Sequence, residues 1–362
     1  MEIELSETQQ LVRSSLRELL EREVSFQRVR ELEREQAMDE ALWGQLAELG
    51  WLGLPFSEAF HGGGAGIPDL AVAVEEFARR AVSVPFAEVA ACGLTVERFG
   101  EESVARPLIE AIVAGAEIPV PAVLDASDSY IDPPTDSRSG DRFSGRRMFV
   151  DYGQSATRFL VRGGVAWDGA MLLVSPGDDT VARTRLFTTG RGQASGLVFT
   201  NAEAVRATTS EGYAFLFNLM RCFTAVQCLG GAQQALDMTT AYVKNRVQFG
   251  RPIGAFQAVQ HHMANMATLV EATRFMVYEA AWALEQGTAT DEQLALAKAW
   301  AAKASIEVAA LAHQLHGGVG VTEEYDLHFF TLHIKERSLA WGSIDECMRL
   351  AAEHVADPVD WL

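Results

Sequence analysis

Hydrophobic residues recur at spacings of three and four among charged residues through the first third of the chain, which predicts amphipathic helices. Leu16 and Leu19 lie in one such run, and Ala41 to Leu49 repeats the pattern. Between these runs and the next one, His61 to Gly66 carries four glycines. We predict a loop there, because glycine loses much conformational entropy inside a regular element. The pattern therefore predicts an N-terminal α-helical domain over residues 1–116.

The hydrophobic pattern changes over residues 117–207. Short apolar runs, Phe159 to Val161, Met171 to Val174 and Leu197 to Phe199, are separated by Gly, Asp, Ser and Pro. Apolar runs of this length bounded by turn residues are typical of strands. We therefore predict a small middle β-domain over these residues.

Alanine-rich helical patterns return in the last part of the chain and are interrupted by Gly287 and by Gly317–Gly318. The predicted helices run over Tyr213–Arg246, Ile253–Gln286, Asp291–His316, Glu324–Glu336 and Ile344–His354. Long helices joined by short links indicate a bundle. The sequence thus predicts an α+β fold, mostly α, that ends in a C-terminal four-helix bundle domain over residues 208–362.

Composition and charge argue against several classes of partner and location. The chain has 362 residues and a formal net charge of −19, with a pI near 4.8, and no basic run interrupts the acidic background. A nucleic-acid partner or an anionic membrane surface is therefore not expected. No apolar run approaches the ~20 residues that a membrane helix needs, and the N-terminal residues lack the apolar core of a secretion signal. We expect a cytoplasmic protein.

Cysteine and histidine spacing gives no indication of a metal site. The four cysteines show neither a CxxC nor a His-linked pattern, which argues against zinc and against a disulfide framework. His261 and His262 are adjacent, and adjacent side chains on a helix point about 100° apart. We predict no metal site.

The break between the first two C-terminal helices carries the clearest chemistry. Arg246 offers a planar fork of donors suited to phosphate, Gln248 can donate or accept a hydrogen bond, and Phe249 can cover an aromatic ring or a ribose. Further along, Gln314 precedes Gly317–Gly318, where backbone N–H groups can approach a ligand closely. Both features suit a nucleotide, although a helix end with a dipole-compensating arginine or a glycine cap would explain each one alone.

Three strings in the C-terminal part carry a resemblance to a known family. RVQFGRPIGAFQAVQHHMANM begins at Arg246, QLHGGVGVTEEYDLHF at Gln314 and LAWGS at Leu339. Together they resemble the signature of the acyl-CoA dehydrogenases, flavoproteins that desaturate acyl-CoA thioesters. The order of helices, β-domain and helical bundle is also similar to that family over essentially the whole chain.

The resemblance implies a set of FAD-binding residues that act in trans, because in the family these motifs reach across the dimer interface to the FAD of a neighbouring subunit. Carried over one by one, the matching positions are Arg246, Gln248, Phe249, Phe256, Gln257, Gln314, Gly317 and Gly318. The segments that would hold FAD in cis have drifted. Pro121 to Tyr130 lacks the glycines of relatives, and Arg147 to Gly153 has Phe149 and Asp151 in place of tryptophan and threonine.

The resemblance also implies that the catalytic base is missing. Most relatives carry the glutamate that removes the α-proton in the third string, where this chain has Trp341. A minority carry it on the helix before the first string, at or near Met220 here. Neither an indole nor a thioether accepts a proton, so we expect no catalytic residue in this chain. The nearby carboxylates Glu323, Glu324, Asp345 and Glu346 are interpreted as charges at helix starts, with Thr322 capping a helix that begins at Glu323.

The resemblance thus implies that the trans half of the FAD site is intact, that the cis half differs from that of relatives and that the base is missing. Together these features favour one hypothesis. The chain is expected to be one subunit of a heterotetrameric (α₂β₂) acyl-CoA dehydrogenase that shares FAD with a second, catalytic subunit. Its resemblance to actinobacterial enzymes implies an acyl-CoA substrate with a steroid side chain and an electron-acceptor flavoprotein as a further partner.

Two alternatives stay open from the sequence. The first is a self-sufficient homotetrameric acyl-CoA dehydrogenase with a relocated base, or a flavin monooxygenase of the same fold. The second is a non-catalytic scaffold subunit in which the glycines and the arginine serve only helix packing. Flavin content and activity of the purified protein distinguish them.

Overall fold

A computed structural model describes residues 4–125, 129–130, 132–177 and 179–353 of the chain. Within them the α-helices are α1 Glu7–Glu23, α2 Phe26–Glu35, α3 Glu40–Glu48, α4 Ile67–Arg79, α5 Phe86–Phe99, α6 Glu102–Val113, α7 Glu211–Asn245, α8 Gln257–Glu285, α9 Asp291–His316, α10 Leu327–Leu339 and α11 Ile344–Glu353. The strands are β1 Pro119–Ala122, β2 Asp136–Ser139, β3 Arg142–Val150, β4 Arg158–Arg162, β5 Met171–Ser175, β6 Val181–Arg185, β7 Ser195–Thr208, β8 Val247–Gln248 and β9 Arg251–Pro252. The mostly helical α+β class is confirmed.

The chain divides into two compact units. The helical unit comprises Met1–Val29, Ile67–Val82 and Arg221–Leu362, and the mixed unit comprises Arg30–Gly66 and Ser83–Met220. Helix α7 is continuous in sequence across the point where the assignment changes. The three domain boundaries predicted above, 1–116, 117–207 and 208–362, stay predictions.

The mixed unit is built on a seven-stranded sheet with the order β1-β4-β5-β7-β3-β2, in which β6 also pairs with β7. The β1–β4 pair is parallel and the others are antiparallel. Phe143, Phe159 and Phe199 stack edge to face in its core, with centroid separations of 5.3 and 5.5 Å. Aromatic side chains of this kind bury large apolar areas, which explains why short strands suffice to hold the sheet.

A buried arginine joins four strands of this sheet. Arg147 is fully buried, and its guanidinium donates to the Ala122 carbonyl at 3.2 Å and to the Arg162 carbonyl. It also lies 3.4 Å from the Asp136 carboxylate. Burial lowers the Arg147 pKa to about 10, against the opposing attraction of Asp136. The group therefore stays charged at neutral pH and links β1, β2, β3 and β4.

In the helical unit, α9 packs against α8, α10 and α11, and α4 packs against α1 and α8. Small side chains allow this close approach. Ala295 and Ala299 form a buried cluster with Cys347, against which Ile344 and Leu350 pack. Among the described residues, no helix is long and apolar enough to cross a membrane.

Most predicted helices lie where the pattern placed them, and α9 has the predicted ends. Two predicted helix starts were wrong. Helix α8 begins at Gln257 and not at Ile253, because Ile253–Ala255 forms a 3₁₀ turn and Phe256 is extended. Helix α10 begins at Leu327 and not at Glu323 or Glu324, because Gly317–Val321 forms a 3₁₀ segment and the following residues form turns. Thr322 does not cap α10, and its hydroxyl donates to the Val319 carbonyl at 3.0 Å instead. The predicted last residue of the final helix, His354, lies outside the described residues.

Candidate functional site

The segment after α7 forms a two-residue β-hairpin. Arg246 follows the last residue of the helix, and its carbonyl accepts a hydrogen bond from the Ile253 N–H at 2.8 Å. Strands β8 and β9 pair so that Gln248 lies opposite Arg251. The side chains of Arg246 and Gln248 are exposed. A hairpin whose strands hold no buried side chain gains little from packing, which leaves its polar side chains available to a ligand.

The tip of this hairpin has an unusual backbone conformation. Phe249 has φ +54° and Gly250 has φ +80°, and two central residues with positive φ are the mark of a type I′ turn. Glycine adopts this region without cost, but an aromatic residue does so rarely. The Phe249 side chain is 92% exposed. The strained position therefore projects an aromatic ring away from the hairpin.

A second aromatic residue and a second arginine complete the hairpin cluster. The rings of Phe249 and Phe256 meet edge to face at 6.1 Å. The guanidinium of Arg251 lies 4.1 Å from the centre of the Phe256 ring. Arg251 was not among the residues predicted from the sequence. Its position opposite Gln248 in a two-residue hairpin is the feature that could have identified it. Gln257 begins α8 and is exposed.

The turn that carries Gln314, Gly317 and Gly318 ends α9. Gly317 is the C-cap residue with φ +62°, and a Cβ added to Gly317 or Gly318 would meet nothing within 4 Å. Gln314 is exposed, as are both glycines. The turn therefore offers open backbone to an incoming group.

His316 holds this turn in place through contacts of its ring. Its ring is buried, and Nδ1 lies 2.8 Å from the Ala312 carbonyl while Nε2 lies 3.0 Å from the Tyr325 hydroxyl. The carbonyl can only accept, so Nδ1 carries the proton and Nε2 accepts from Tyr325. Burial lowers the His316 pKa, with only partial compensation from the bond to Ala312. The ring is therefore neutral at pH 7.

The hairpin and the turn are neighbours. Tyr242, one helical turn before Arg246, stacks on the His316 ring with centroids 4.4 Å apart, and the Tyr242 carbonyl accepts from the Arg246 N–H at 2.8 Å. The structure thus places the hairpin next to the turn, although the two sequence blocks that carry the eight positions assigned from the resemblance lie about 60 residues apart.

Trp341 lies in the tight turn between α10 and α11. It is 6% exposed, with φ +57°, and Gly342 follows with φ +109°. A Cβ on Gly342 would lie 2.9 Å from the Cys347 sulfur and 3.8 Å from the Arg221 Nε atom. The indole is therefore buried, and the turn that carries it packs at Gly342 against Cys347 and the buried Arg221.

Both sides of this turn are held by hydrogen bonds. Lys298 is fully buried, and its ammonium donates to the Arg337 and Ser338 carbonyls at 2.8 and 3.2 Å. These carbonyls belong to the last turn of α10 and have no partner within the helix, so a cationic donor suits them well. On the other side, the Ser343 hydroxyl and N–H both bond to the Glu346 carboxylate at 2.7 Å. The turn that carries Trp341 is fixed at both ends.

The carboxylates considered above as helix-start charges lie in different surroundings. Glu346 forms a capping box with Ser343 at the start of α11, as interpreted. Asp345 lies in the first turn of α11 and is exposed. Glu323 and Glu324 lie in turns, and their side chains are exposed. Met220, the other position considered for a base, is buried in the mixed unit.

The segments that would hold a flavin in cis are only partly described. Ala126, Ser127 and Asp128 of the Pro121 to Tyr130 segment lie outside the described residues. In the second segment, the pairing of β3 with β7 shifts register between Arg147 and Val150. Phe149 lies in that irregularity with φ +51° and is 54% exposed.

The helical unit also contains a polar cleft of about 690 Å³ and an adjoining cavity of about 200 Å³. Three of the arginines that line the cleft, Arg17, Arg79 and Arg274, form ion pairs with carboxylates. Arg274 bonds to Glu75 at 2.5 Å, and Arg79 bonds to Asp237 at 2.7 Å. None of the eight positions predicted to act in trans lines either cavity. Seven of them are exposed, and Phe256 is half-buried.

Family models match most of the chain. An acyl-CoA dehydrogenase N-terminal domain matches residues 6–116, and an acyl-CoA dehydrogenase C-terminal domain matches residues 214–357. Acyl-CoA dehydrogenase FadE27 of Mycobacterium tuberculosis is 30% identical over 342 residues, which cover 91% of each chain.

Two solved structures are also similar to this chain over nearly its whole length. A variant of the Tcur3481–Tcur3483 steroid ACAD has a TM-score of 0.89 at 31% identity and covers 95% of this chain and 96% of the other. The ChsE4–ChsE5 complex from Mycobacterium tuberculosis has a TM-score of 0.90 at 28% identity, with 99% and 100% covered.

Proposed function

Because this chain belongs to the acyl-CoA dehydrogenase family, we propose that it is the base-lacking subunit of a heteromeric FAD-dependent acyl-CoA dehydrogenase. In this proposal it supplies the trans half of an FAD site, and an unlike acyl-CoA dehydrogenase subunit supplies the base and binds the acyl-CoA. The reaction is α,β-desaturation of an acyl-CoA thioester.

The observation that carries the proposal is the turn between α10 and α11. The resemblance places the catalytic glutamate at position 341, and the side chain there is a buried indole. Loss of a general base costs about 10² to 10⁴ in rate. A chain that worked alone would bear that cost in full, whereas a subunit with a catalytic partner would not.

The residues on the hairpin and the Gln314–Gly318 turn fit FAD. The exposed guanidinium of Arg246 suits its diphosphate, and the Phe249 ring suits a flavin or adenine face. The open backbone at Gly317 and Gly318 leaves room for a bulky group. When bound, FAD supplies the acceptor for the β-hydride.

The residues of this chain then bind and orient, and they do not move the proton. Arg246 and Gln248 would hold the cofactor from one side, and Gln314 with the two glycines from the other. Neither Trp341 nor Met220 can accept the α-proton, and in this proposal the carboxylate belongs to the partner subunit. Continued turnover requires an electron-acceptor flavoprotein as a further partner.

The proposed substrate is a CoA thioester with a steroid side chain. Support comes from the relatives, since one similar solved structure is described as a steroid ACAD and another as a complex of two different chains.

The test is to express the chain alone and together with an acyl-CoA dehydrogenase chain encoded beside it, and to count flavin per chain. We expect little or no flavin on the chain alone. The complex is expected to contain one FAD for every two chains and to desaturate acyl-CoA.

Other results would favour the alternatives. A yellow, active homotetramer from single expression would mean a self-sufficient enzyme with a relocated base or a flavin monooxygenase of the same fold. A stable complex without FAD would mean a scaffold subunit.

A further inference from the structure

Arg251 is an exposed arginine that contacts an aromatic ring beside the hairpin. Its guanidinium lies 4.1 Å above the Phe256 ring, and its backbone pairs directly with Gln248 across the hairpin. Residues that pair directly in an antiparallel ladder point to the same face. The Arg251 guanidinium and the Gln248 amide therefore lie on one face of the hairpin.

The charge of Arg251 is not compensated nearby. Within the ranges that the structure describes, the Arg251 side chain makes no ion pair and no hydrogen bond. The chain has 49 acidic side chains against 30 basic ones, and many of its other arginines bond to a carboxylate, as Arg17, Arg79 and Arg274 do. The Arg251 guanidinium is therefore available to an anion from outside the chain.

Stacking on Phe256 prepares this arginine for an anion. The ring contacts the flat face of the guanidinium and leaves the N–H donors at its edge free. It also restricts the rotamers of a long side chain, so less entropy is lost when a ligand binds. A planar fork with free edges matches two phosphate oxygens in a bidentate arrangement.

We propose that Arg251 binds the diphosphate of a nucleotide cofactor, with Phe256 as its platform and Gln248 as a second hydrogen-bonding group. FAD and CoA both carry such a diphosphate, and the experiment distinguishes them. The inference rests on the proposed function, because it assumes that this surface meets a nucleotide. It adds an FAD- or CoA-binding residue that the family resemblance did not assign.

The experiment measures the affinity of FAD and of CoA, separately, for the complex of this chain with its partner. Arg251→Met removes the charge and keeps an apolar side chain over Phe256. Arg251→Lys keeps the charge and removes the planar fork. Phe256→Leu keeps the guanidinium and removes its platform. Arg34→Met is the matched control, because Arg34 is an exposed arginine on α2 in the mixed unit.

We expect Arg251→Met to raise the Kd of one of the two nucleotides about 10- to 100-fold, as for loss of a charged hydrogen bond. Arg251→Lys and Phe256→Leu should give smaller increases, and Arg34→Met none. A change for FAD alone assigns the flavin diphosphate, and a change for CoA alone assigns the CoA diphosphate.

Two results would overturn the inference and leave the proposed function intact. One is a complex that binds FAD with the same affinity, and CoA with the same affinity, whether residue 251 is arginine or methionine. The other is an equal loss with Arg34→Met, which would show that only the net charge matters. A complex that binds no FAD at all would instead overturn the proposed function. Melting temperatures of all variants identify any that fail to fold.

Discussion

At the scale of single residues, the hairpin tip shows a conflict between stability and the proposed function. Phe249 occupies the left-handed region at φ +54° with its ring 92% exposed. Local strain at an exposed bulky residue costs of order 1–3 kcal/mol, and no burial within the chain offsets it. We infer that the ring is kept for a contact outside the chain.

Phe249→Asn separates the two effects. Asparagine suits the first central position of a type I′ turn, so the chain should become more stable by about 1 kcal/mol. The complex should lose FAD affinity at the same time, because the aromatic surface is gone. Urea unfolding of the chain and FAD titration of the complex measure the two changes. A variant that is no more stable and binds FAD as before would show that the ring has neither effect.

At the scale of elements, the helical unit is joined by a buried ionic network. Glu75 on α4 accepts hydrogen bonds from Arg274 at 2.5 Å and from the Tyr278 hydroxyl at 2.8 Å, both on α8. Arg274 also donates to Gln233 on α7 at 2.6 Å. Burial opposes the charge on Arg274, but the adjacent Glu75 carboxylate raises its pKa overall. The network fixes the register of α4 and α7 on α8.

Breaking one side of this network should cost more than removing both. Arg274→Met leaves the Glu75 carboxylate buried without its main partner, and we expect a loss of about 3–5 kcal/mol in the free energy of unfolding. The double variant Glu75→Gln, Arg274→Met has no such unpaired charge and should recover much of the loss. Denaturant unfolding of the three variants tests this. Additive losses in the double variant would contradict a coupled pair.

At the scale of the whole molecule, the proposal holds that this chain has no complete active site. The turn between α10 and α11 is fixed by Lys298 on one side and by the Ser343–Glu346 capping box on the other. Trp341 lies in this turn and is 6% exposed. Such a turn is adapted to packing, and restoring a carboxylate there does not restore the segments that would hold FAD in cis.

Trp341→Glu is therefore expected to lower stability without adding activity. Loss of a buried aromatic side chain costs about 3–5 kcal/mol, and burial of a carboxylate adds a further penalty. Flavin per complex and turnover per complex should stay unchanged while the melting temperature falls. Trp341→Phe is the control, because it keeps an aromatic ring. Higher turnover with additional FAD bound would show that the pocket lacked only its base.

The sequence by itself determined the fold class and the positions of most helices. The period of apolar residues predicted α9 over Asp291–His316, since hydrophobic spacing and the glycine that ends the helix are both local signals. Local signals failed at α10, where Thr322 and two glutamates imitate a helix start. Packing of the preceding 3₁₀ segment delays the helix to Leu327.

The residues of the candidate site were also predicted in part from the sequence, and the contacts between them are seen only in the structure. The sequence named Arg246, Phe249 and Gln314 because their motifs are contiguous strings. Only the tertiary structure placed Tyr242 against His316 and so joined two blocks about 60 residues apart. Only the structure also showed Arg251 stacked on Phe256, since hairpin register and ring geometry follow from backbone pairing and side-chain packing. Contacts between distant residues depend on the folded chain as a whole, and no local pattern specifies them.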